Sequence, residues 1–323
     1  MLQHPTPVFI VGSGRSGTTI TASLLSHLPR VQIAKETGYI SQNLSLLRDI
    51  NNPSSLQRLI EEVNSWLTHS HWENIASADG FRSFCSQHDF HGCQAFIHYV
   101  WQLDSPKPWH ELSFIGDNTP LYVLAIPAIQ ELMPNARFIH MVRDPRDVVT
   151  STLKMRFGAD DPVLAAMEWH LLLGSWLMAE RIVSADRRIE CRYEDLCTDS
   201  ETTVTRLAKF LNHSEEDAIA AIARQSSTGT ELSTGFQKVA AVAAHHKRLT
   251  EPLAASRVGR FLSELTSAQI QAIEEVAQDG MLAYGYTLTG QREHPLMREN
   301  RMCFLKAAIR DITKRCMKRL CGK

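Results

Sequence analysis

The chain has 323 residues, with 34 Lys and Arg against 35 Asp and Glu and a formal net charge of −1. That length allows one large or two ordinary domains, and 44% hydrophobic with 21% charged residues excludes a disordered or fibrous chain. The balanced charge excludes a dedicated nucleic-acid binder, which carries a strong basic excess. In chain order, the apolar run of residues 7–11 is β-branched and continuous, the pattern of a strand buried on both faces. A glycine-rich segment, 12–17, follows it, and residues 18–28 then show helical spacing of apolar positions. A short apolar segment, 31–34, returns the chain towards the C-terminal edge of the sheet. Between 41 and 110 the pattern weakens to short amphipathic helices such as 55–67. Residues 120–133 read as helix, 137–142 as strand, and an apolar helix begins at Pro162. Residues 188–193 read as a third strand, and 201–211, 215–225 and 267–283 as helices.

Strands separated by helices predict an α/β fold of the P-loop-like, three-layer kind, with a mainly parallel central sheet and helical insertions. Its ligands belong at the C-terminal ends of the strands. We expect residues 1–291 to form one domain, with 41–110 as a helical and loop insertion and 292–323 as a tail. The most apolar stretch, 163–183, is interrupted by Glu168, His170, Glu180 and Arg181, so no bilayer span is expected. The run 8–11 is too short for a signal peptide and has no basic leader. Seven scattered cysteines argue against a disulfide framework. The expectation is a cytoplasmic enzyme.

Gly12-x-x-x-x-Gly17 lies between a strand and a helix, the context of a phosphate-cradling loop. Its glycines let backbone N–H groups approach phosphate oxygens, and the helix N-terminus adds a favourable dipole. Thr18-Thr19 stands where ATP-type loops carry Lys and Ser or Thr, and Arg15 brings positive charge from within the loop. That disfavours Mg–ATP chemistry and suits a nucleotide with another transferable group on its 5′-phosphate. A second segment, Val142-Arg-Asp-Pro-Arg-Asp-Val-Val-Thr-Ser151, leaves a buried strand for a helix. Arg143 and Ser151 are eight residues apart, so a bend and two helical turns bring both to one anion. Alone, this segment also reads as a capped helix with a salt bridge. Paired with the first loop, it makes a second phosphate site.

These two motifs together resemble the sulfotransferase family, whose donor is 3′-phosphoadenosine 5′-phosphosulfate (PAPS). The resemblance runs over about residues 7–286 with a weak middle, and it is to the bacterial and tyrosylprotein-type branch. It implies that Gly14, Arg15, Ser16, Gly17, Thr18 and Thr19 hold the 5′-phosphosulfate, and that Arg143 and Ser151 hold the 3′-phosphate. Arg192-Tyr-Glu-Asp-Leu196 resembles a segment whose tyrosine, here Tyr193, lies near the adenine. Ser256-Arg-Val-Gly-Arg-Phe261, followed by a helix ending near Ala283-Tyr-Gly-Tyr286, resembles the C-terminal part of bacterial and tyrosylprotein-type members, and Arg257 within it is expected in the donor site. Two anions on one ribose need two sites held rigidly apart, and the second distinguishes this donor from ATP.

Sulfuryl transfer needs an in-line acceptor oxygen, a base for its proton and cations for the leaving phosphate. Arg15 is the natural cation, with Thr18 and Thr19 as donors. Glu36 matches the position of the relatives' glutamate base, so the resemblance implies that role; taken alone it reads as a surface carboxylate. In those relatives a lysine precedes the Asp/Thr-Pro before the second phosphate strand, whereas this chain has Asn118. Arg15 alone, Lys35 or Lys154 could supply the missing charge, or the chemistry is weak; the residues leave these open. The implied products are a sulfated hydroxyl or amine acceptor (small molecule, peptide or glycan) and adenosine 3′,5′-bisphosphate, with no metal. A P-loop small-metabolite kinase and a non-catalytic nucleotide-binding relative are the alternatives.

Six of the fourteen histidines fall between His69 and His110, the stretch expected to shape acceptor binding. Within it, Cys85-x-x-His88-x-x-His91-x-Cys93 is too compressed for paired zinc ligands and reads as loop. His140, flanked by apolar strand residues, reads as a satisfied core histidine. Trp66, Trp72, Trp101 and Trp109 read as core, or as lining of an acceptor cleft. The 292–323 tail carries ten basic and three acidic residues. It suggests an amphipathic helix for an anionic membrane surface or a partner, or one packed on its own domain. The wider expectation is a bacterial protein, with a homodimer as an open state.

Overall fold

A computed structural model describes residues 4–70, 72–155, 159–228 and 255–289. The 292–323 tail lies outside the described residues. Five strands, β1 (Thr6–Gly12), β2 (Val31–Ala34), β3 (Phe114–Asp117), β4 (Arg137–Val142) and β5 (Arg188–Arg192), form one parallel sheet in the order β2-β3-β1-β4-β5. The chain thus builds one flank of β1 and then crosses to the other. That reversal opens a crevice at the C-terminal end of β1.

Strand β1 is continuous apolar sequence because both its faces are covered. Phe9 and Val11 belong to the core on one side, and Val8 and Ile10 to the core on the other, all four fully buried. The second face is covered by α1 (Thr18–Ser26), α9 (Tyr193–Thr198), α10 (Ser200–Phe210) and α11 (Glu215–Thr228). The first is covered by α2 (Leu44–Arg48), α3 (Pro53–His69), α4 (Ala78–His88), α5 (Gly92–Gln102), α6 (Ile126–Leu132) and α8 (Pro162–Ala179). The remaining long elements are α7 (Pro145–Thr152), which follows β4, and α12 (Ser267–Ala283). A Thr266–Gln269 capping box starts α12, which packs its Ala277 and Met281 with Trp169 and Leu173 of α8. No helix among the described residues is long and apolar enough to cross a membrane.

Several expectations need correction. Residues 120–133 are not one helix: Pro120–Ala125 is a 3-10 turn, and the α-helix begins at Ile126, where Pro127 suits its first turn. The 85–93 segment, read as loop, spans the end of α4 and the start of α5. Cys85 and His88 lie on α4, His91 precedes α5 and Cys93 lies within α5. His88 packs on Phe84 and Trp109, and no group of three metal-binding side chains gathers among the described residues. Trp72, Trp101 and Trp109 are core. Trp66 is half-buried over Gly38 and donates to Gln42 Oε1 at 3.2 Å. His140 is buried as expected: it stacks on Trp176 at 4.5 Å and bonds Glu190 Oε2 through Nδ1 at 2.9 Å.

Candidate active site

The first loop leaves β1 and turns with Arg15 in the left-handed region at φ 69° and Gly17 at φ 94°. Gly17 precedes α1 and provides no side-chain cap, so the first-turn N–H groups of the helix are left for an anion. A Cβ on Gly17 would meet the Tyr193 ring, with Cε2 at 2.9 Å, so only glycine lets the tyrosine lie against the loop. Ser16 is fully buried, and its Oγ has no hydrogen-bond partner. An orphaned hydroxyl inside a glycine loop fits a phosphate oxygen as its missing partner.

The second loop leaves β4 and centres on Arg143. Its Nη1 donates to the Arg15 carbonyl at 3.1 Å and its Nη2 to the Arg257 carbonyl at 2.8 Å. Its guanidinium lies 4.3 Å from the centre of the Tyr193 ring. Nη2 also approaches Asp147 Oδ2 at 3.5 Å, one helical turn on, while Nε is buried without a partner. The carbonyl of Arg143 accepts from Trp169 Nε1 at 3.0 Å, which fixes the backbone of the loop. Arg15 Nε in turn donates to Ser151 Oγ at 3.0 Å. Arg15, Gly17, Arg143, Ser151, Tyr193 and Arg257 are therefore one contact set, drawn from four separated stretches of chain.

Sequence reasoning missed the residues that lock this set. Asp147, buried at 2% exposure, accepts from Gly259 N at 2.9 Å and Phe261 N at 3.0 Å, and so docks the 255–261 segment on α7. The signal is the second acidic residue of Arg143-Asp-Pro-Arg-Asp147. Glu194 Oε1 accepts from Asp144 N at 2.9 Å and Oε2 from the Tyr286 hydroxyl at 2.9 Å, joining α9 to both the second loop and the C-terminal segment. Burial raises the Glu194 carboxyl above its ordinary value. Arg146 is held by Asp144 Oδ2 at 2.6 Å and Glu274 Oε1 at 2.6 Å and lies over Phe261.

Glu36 stands exposed just past the end of β2, on the same edge as the loops. With β3 between β2 and β1, and about 4.8 Å between neighbouring strands, its backbone is displaced about 10 Å sideways from the loop strand. Of the two lysines considered as substitutes, Lys154 pairs with Glu264. Lys35 is buried, 3.7 Å from Asp104 Oδ2 and over the Trp72 ring. Asn118 follows β3 with no exposure, and neither atom of its amide has a hydrogen-bond partner. It is another orphaned polar group at this edge, and it lies between the strands that carry Glu36 and the phosphate loop.

A family model described as the sulfotransferase family matches residues 7–217. Protein-tyrosine sulfotransferase 1 of Danio rerio is 23% identical over 217 residues, 66% of this chain and 54% of the relative. Protein-tyrosine sulfotransferase of Drosophila melanogaster is 25% identical over 217 residues, 66% of this chain and 39% of the relative. This chain thus spans about half the length of those proteins or less. In structure, the sulfotransferase domain of the Synechococcus PCC 7002 olefin synthase superposes with a TM-score of 0.58 at 20% identity, over 88% of this chain and 97% of that one. The sulfotransferase domain of the curacin biosynthetic pathway gives 0.52 at 16% identity, over 88% and 99%. Both support the same fold.

Proposed function

The chain belongs to the sulfotransferase family, and from that we propose that it transfers a sulfuryl group from PAPS to a hydroxyl or amine acceptor. The observation that carries the reading is the Arg143 hub, whose guanidinium ties the first loop, the 255–261 segment and the Tyr193 ring around one place. A donor with two anions on one ribose needs two sites in fixed register, and this hub supplies the register. Ser16, Thr18 and the first turn of α1 would take the 5′-phosphosulfate, and Arg143 with Ser151 the 3′-phosphate. Arg15 bridges the two through its bond to Ser151 Oγ. Tyr193 offers its ring to the adenine.

In the transfer, the acceptor oxygen forms a bond to sulfur as the bond from sulfur to the phosphate oxygen breaks. The acceptor proton passes to the Glu36 carboxylate, and adenosine 3′,5′-bisphosphate leaves. Neutralisation of the leaving phosphate falls to Arg15, because Asn118 brings hydrogen bonds but no charge. The names of the animal relatives make protein tyrosine one acceptor class to test, beside phenols, sugars and lipids.

The test is labelled-sulfate transfer from PAPS across that acceptor range. Transfer that disappears in Arg143→Ala and Glu36→Gln supports the reading. Phosphoryl transfer from Mg–ATP with no sulfuryl transfer would replace it with the kinase alternative.

A further inference from the structure

Residues 37–40, which follow Glu36, are not held by a sheet ladder. They are held by the segment after β3. Thr119 Oγ1 accepts from Thr37 N at 3.1 Å and Gly38 N at 3.2 Å, and the Tyr122 hydroxyl accepts from Ile40 N at 3.0 Å. Thr37 Oγ1 donates to Asp117 Oδ2 and lies 3.1 Å from the Tyr122 hydroxyl. Asp117, at 0% exposure, also accepts from Thr119 N at 2.6 Å and Trp101 Nε1 at 3.3 Å. The ring of Trp66 closes over Gly38, where a Cβ would meet it at 2.8 Å.

The directions of these bonds are set by their donors. Thr119 N–H and Trp101 Nε1–H can only donate, so both Asp117 oxygens must accept. With Asp117 ionised, the Tyr122 hydroxyl gives its proton to Thr37 Oγ1, Thr37 gives its own to Asp117, and Ile40 N–H finds the Tyr122 oxygen. Asp117, the Thr37 hydroxyl and the Tyr122 hydroxyl are then all matched. With Asp117 protonated, its O–H donates to Thr37 Oγ1, Thr37 turns its own proton to the Tyr122 oxygen, and the Tyr122 hydroxyl proton must find another acceptor.

We propose that Asp117 is a positioning residue that, through Thr37 and Tyr122, fixes the backbone carrying Glu36 against the Asn118 turn. This rests on the sulfuryl-transfer reading with Glu36 as base. A base displaced by about 1 Å costs up to about 100-fold in rate, so a fixed backbone here is a catalytic requirement. Burial raises the Asp117 carboxyl to about 6, while its hydrogen bonds pull the other way. The ionisable groups around it do not compete in that range. Tyr39 and Tyr122 are raised by burial and stay neutral, and His98, stacked on Trp101 at 5.6 Å, is lowered by burial to about 3. Protonation of Asp117 as pH falls through about 6 therefore changes the direction of the Thr37–Tyr122 relay.

The experiment uses the full chain in two arms. In the first, Thr37→Val and Asp117→Asn are compared with Thr37→Ser for PAPS turnover on a fixed panel of phenols and tyrosine peptides, and for adenosine 3′,5′-bisphosphate binding. The expected result is at least a tenfold fall in kcat for Val and Asn, with bisphosphate Kd within twofold of the wild type and near-normal kcat for Ser. The acid limb of the pH–rate profile also moves in Asp117→Asn. Added to Glu36→Gln, neither substitution lowers turnover further. Unchanged kcat in Thr37→Val, or a further tenfold loss on top of Glu36→Gln, overturns the proposal. In the second arm, hydrogen exchange of the Thr37, Gly38 and Ile40 amides is compared in wild type and Asp117→Asn. Faster exchange confined to those amides supports the relay, and unchanged exchange overturns it. A wild type that transfers no sulfuryl group counts against the sulfuryl-transfer reading alone, because the exchange arm still decides the relay.

Discussion

On the two sides of β1, the C-terminal edge of the sheet is held together by different chemistry. Towards β4 and β5, guanidinium groups do the joining: Arg143 spans two carbonyls and a ring, and Arg146 is clamped between Asp144 and Glu274. Towards β3 and β2, neutral donors converge on one buried carboxylate, Asp117, through Thr37, Thr119, Trp101 and Tyr122. In the proposed reading, the first construction presents positive charge to a donor that brings several negative charges. The second spends its hydrogen bonds on holding a backbone still. A donor site needs a fixed field, whereas a base needs a fixed position.

The largest expected effect lies on the cationic side. Arg143→Ala removes the shared partner of the Arg15 and Arg257 carbonyls, and adenosine 3′,5′-bisphosphate affinity falls by at least about 100-fold, as for a lost charge-assisted contact of about 3 kcal/mol. Calorimetry reads it, and affinity within threefold of the wild type would break the comparison at its stronger end. Glu36→Gln tests the other side: kcat falls about 100-fold or more, with bisphosphate affinity unchanged. Loss of binding in that variant would mean that the two sides are not separate devices.

Gly17→Ala comes next. It strains a φ of 94° and drives a methyl group into the Tyr193 ring. Bisphosphate affinity drops about tenfold, from a strain of about 1–3 kcal/mol at such a position, while the exchange of the Thr37 and Gly38 amides stays as in the wild type. The pH response then sharpens the contrast. The Asp117 carboxyl is raised in the folded state to about 6, so its neutral form adds stability below the unfolded carboxylate range, and that stability is lost as pH rises through about 6. Denaturant midpoints of the wild type should therefore fall relative to Asp117→Asn between about pH 4 and 6. Parallel midpoints across that window would remove the buried carboxylate from the account.

The smallest functional effect is expected at Lys107, whose ammonium donates to the carbonyls of Ser26, Leu28 and Val31 at 2.7, 2.9 and 2.6 Å. These are the carbonyls around the C-terminus of α1, where a cation is favoured. Lys107→Met lowers stability by about 1–3 kcal/mol and leaves bisphosphate affinity unchanged, which separates losses of fold from losses of site.

The same contrast explains what could be read before any coordinates. The cationic side is written in contiguous motifs: the glycine loop after 8–11, Arg143 to Ser151, and Arg192 to Leu196 lie where the structure joins them. Each is a short run whose residue types have few other uses, and each sits at the end of a strand. The neutral side has no such run. Strand β3 is four residues, Phe-Ile-Gly-Asp, and its glycine and aspartate hide it from β-propensity. Thr37 and Asp117 are ordinary residues 80 positions apart, and their pairing exists only once β2 lies beside β3. Helix α4 buries Phe81, Phe84 and Cys85 at helical spacing and α5 buries every residue from Ala95 to Trp101, but the histidines and cysteines scattered through them draw the reading towards a loop.

The most direct measurement is titration calorimetry of adenosine 3′,5′-bisphosphate against ADP and Mg–ATP on the full chain. The account predicts that the bisphosphate binds at least tenfold tighter than either, and that Arg143→Ala erases the preference. Equal or tighter binding of ADP or Mg–ATP, with no loss in Arg143→Ala, would contradict a second phosphate site beside β4.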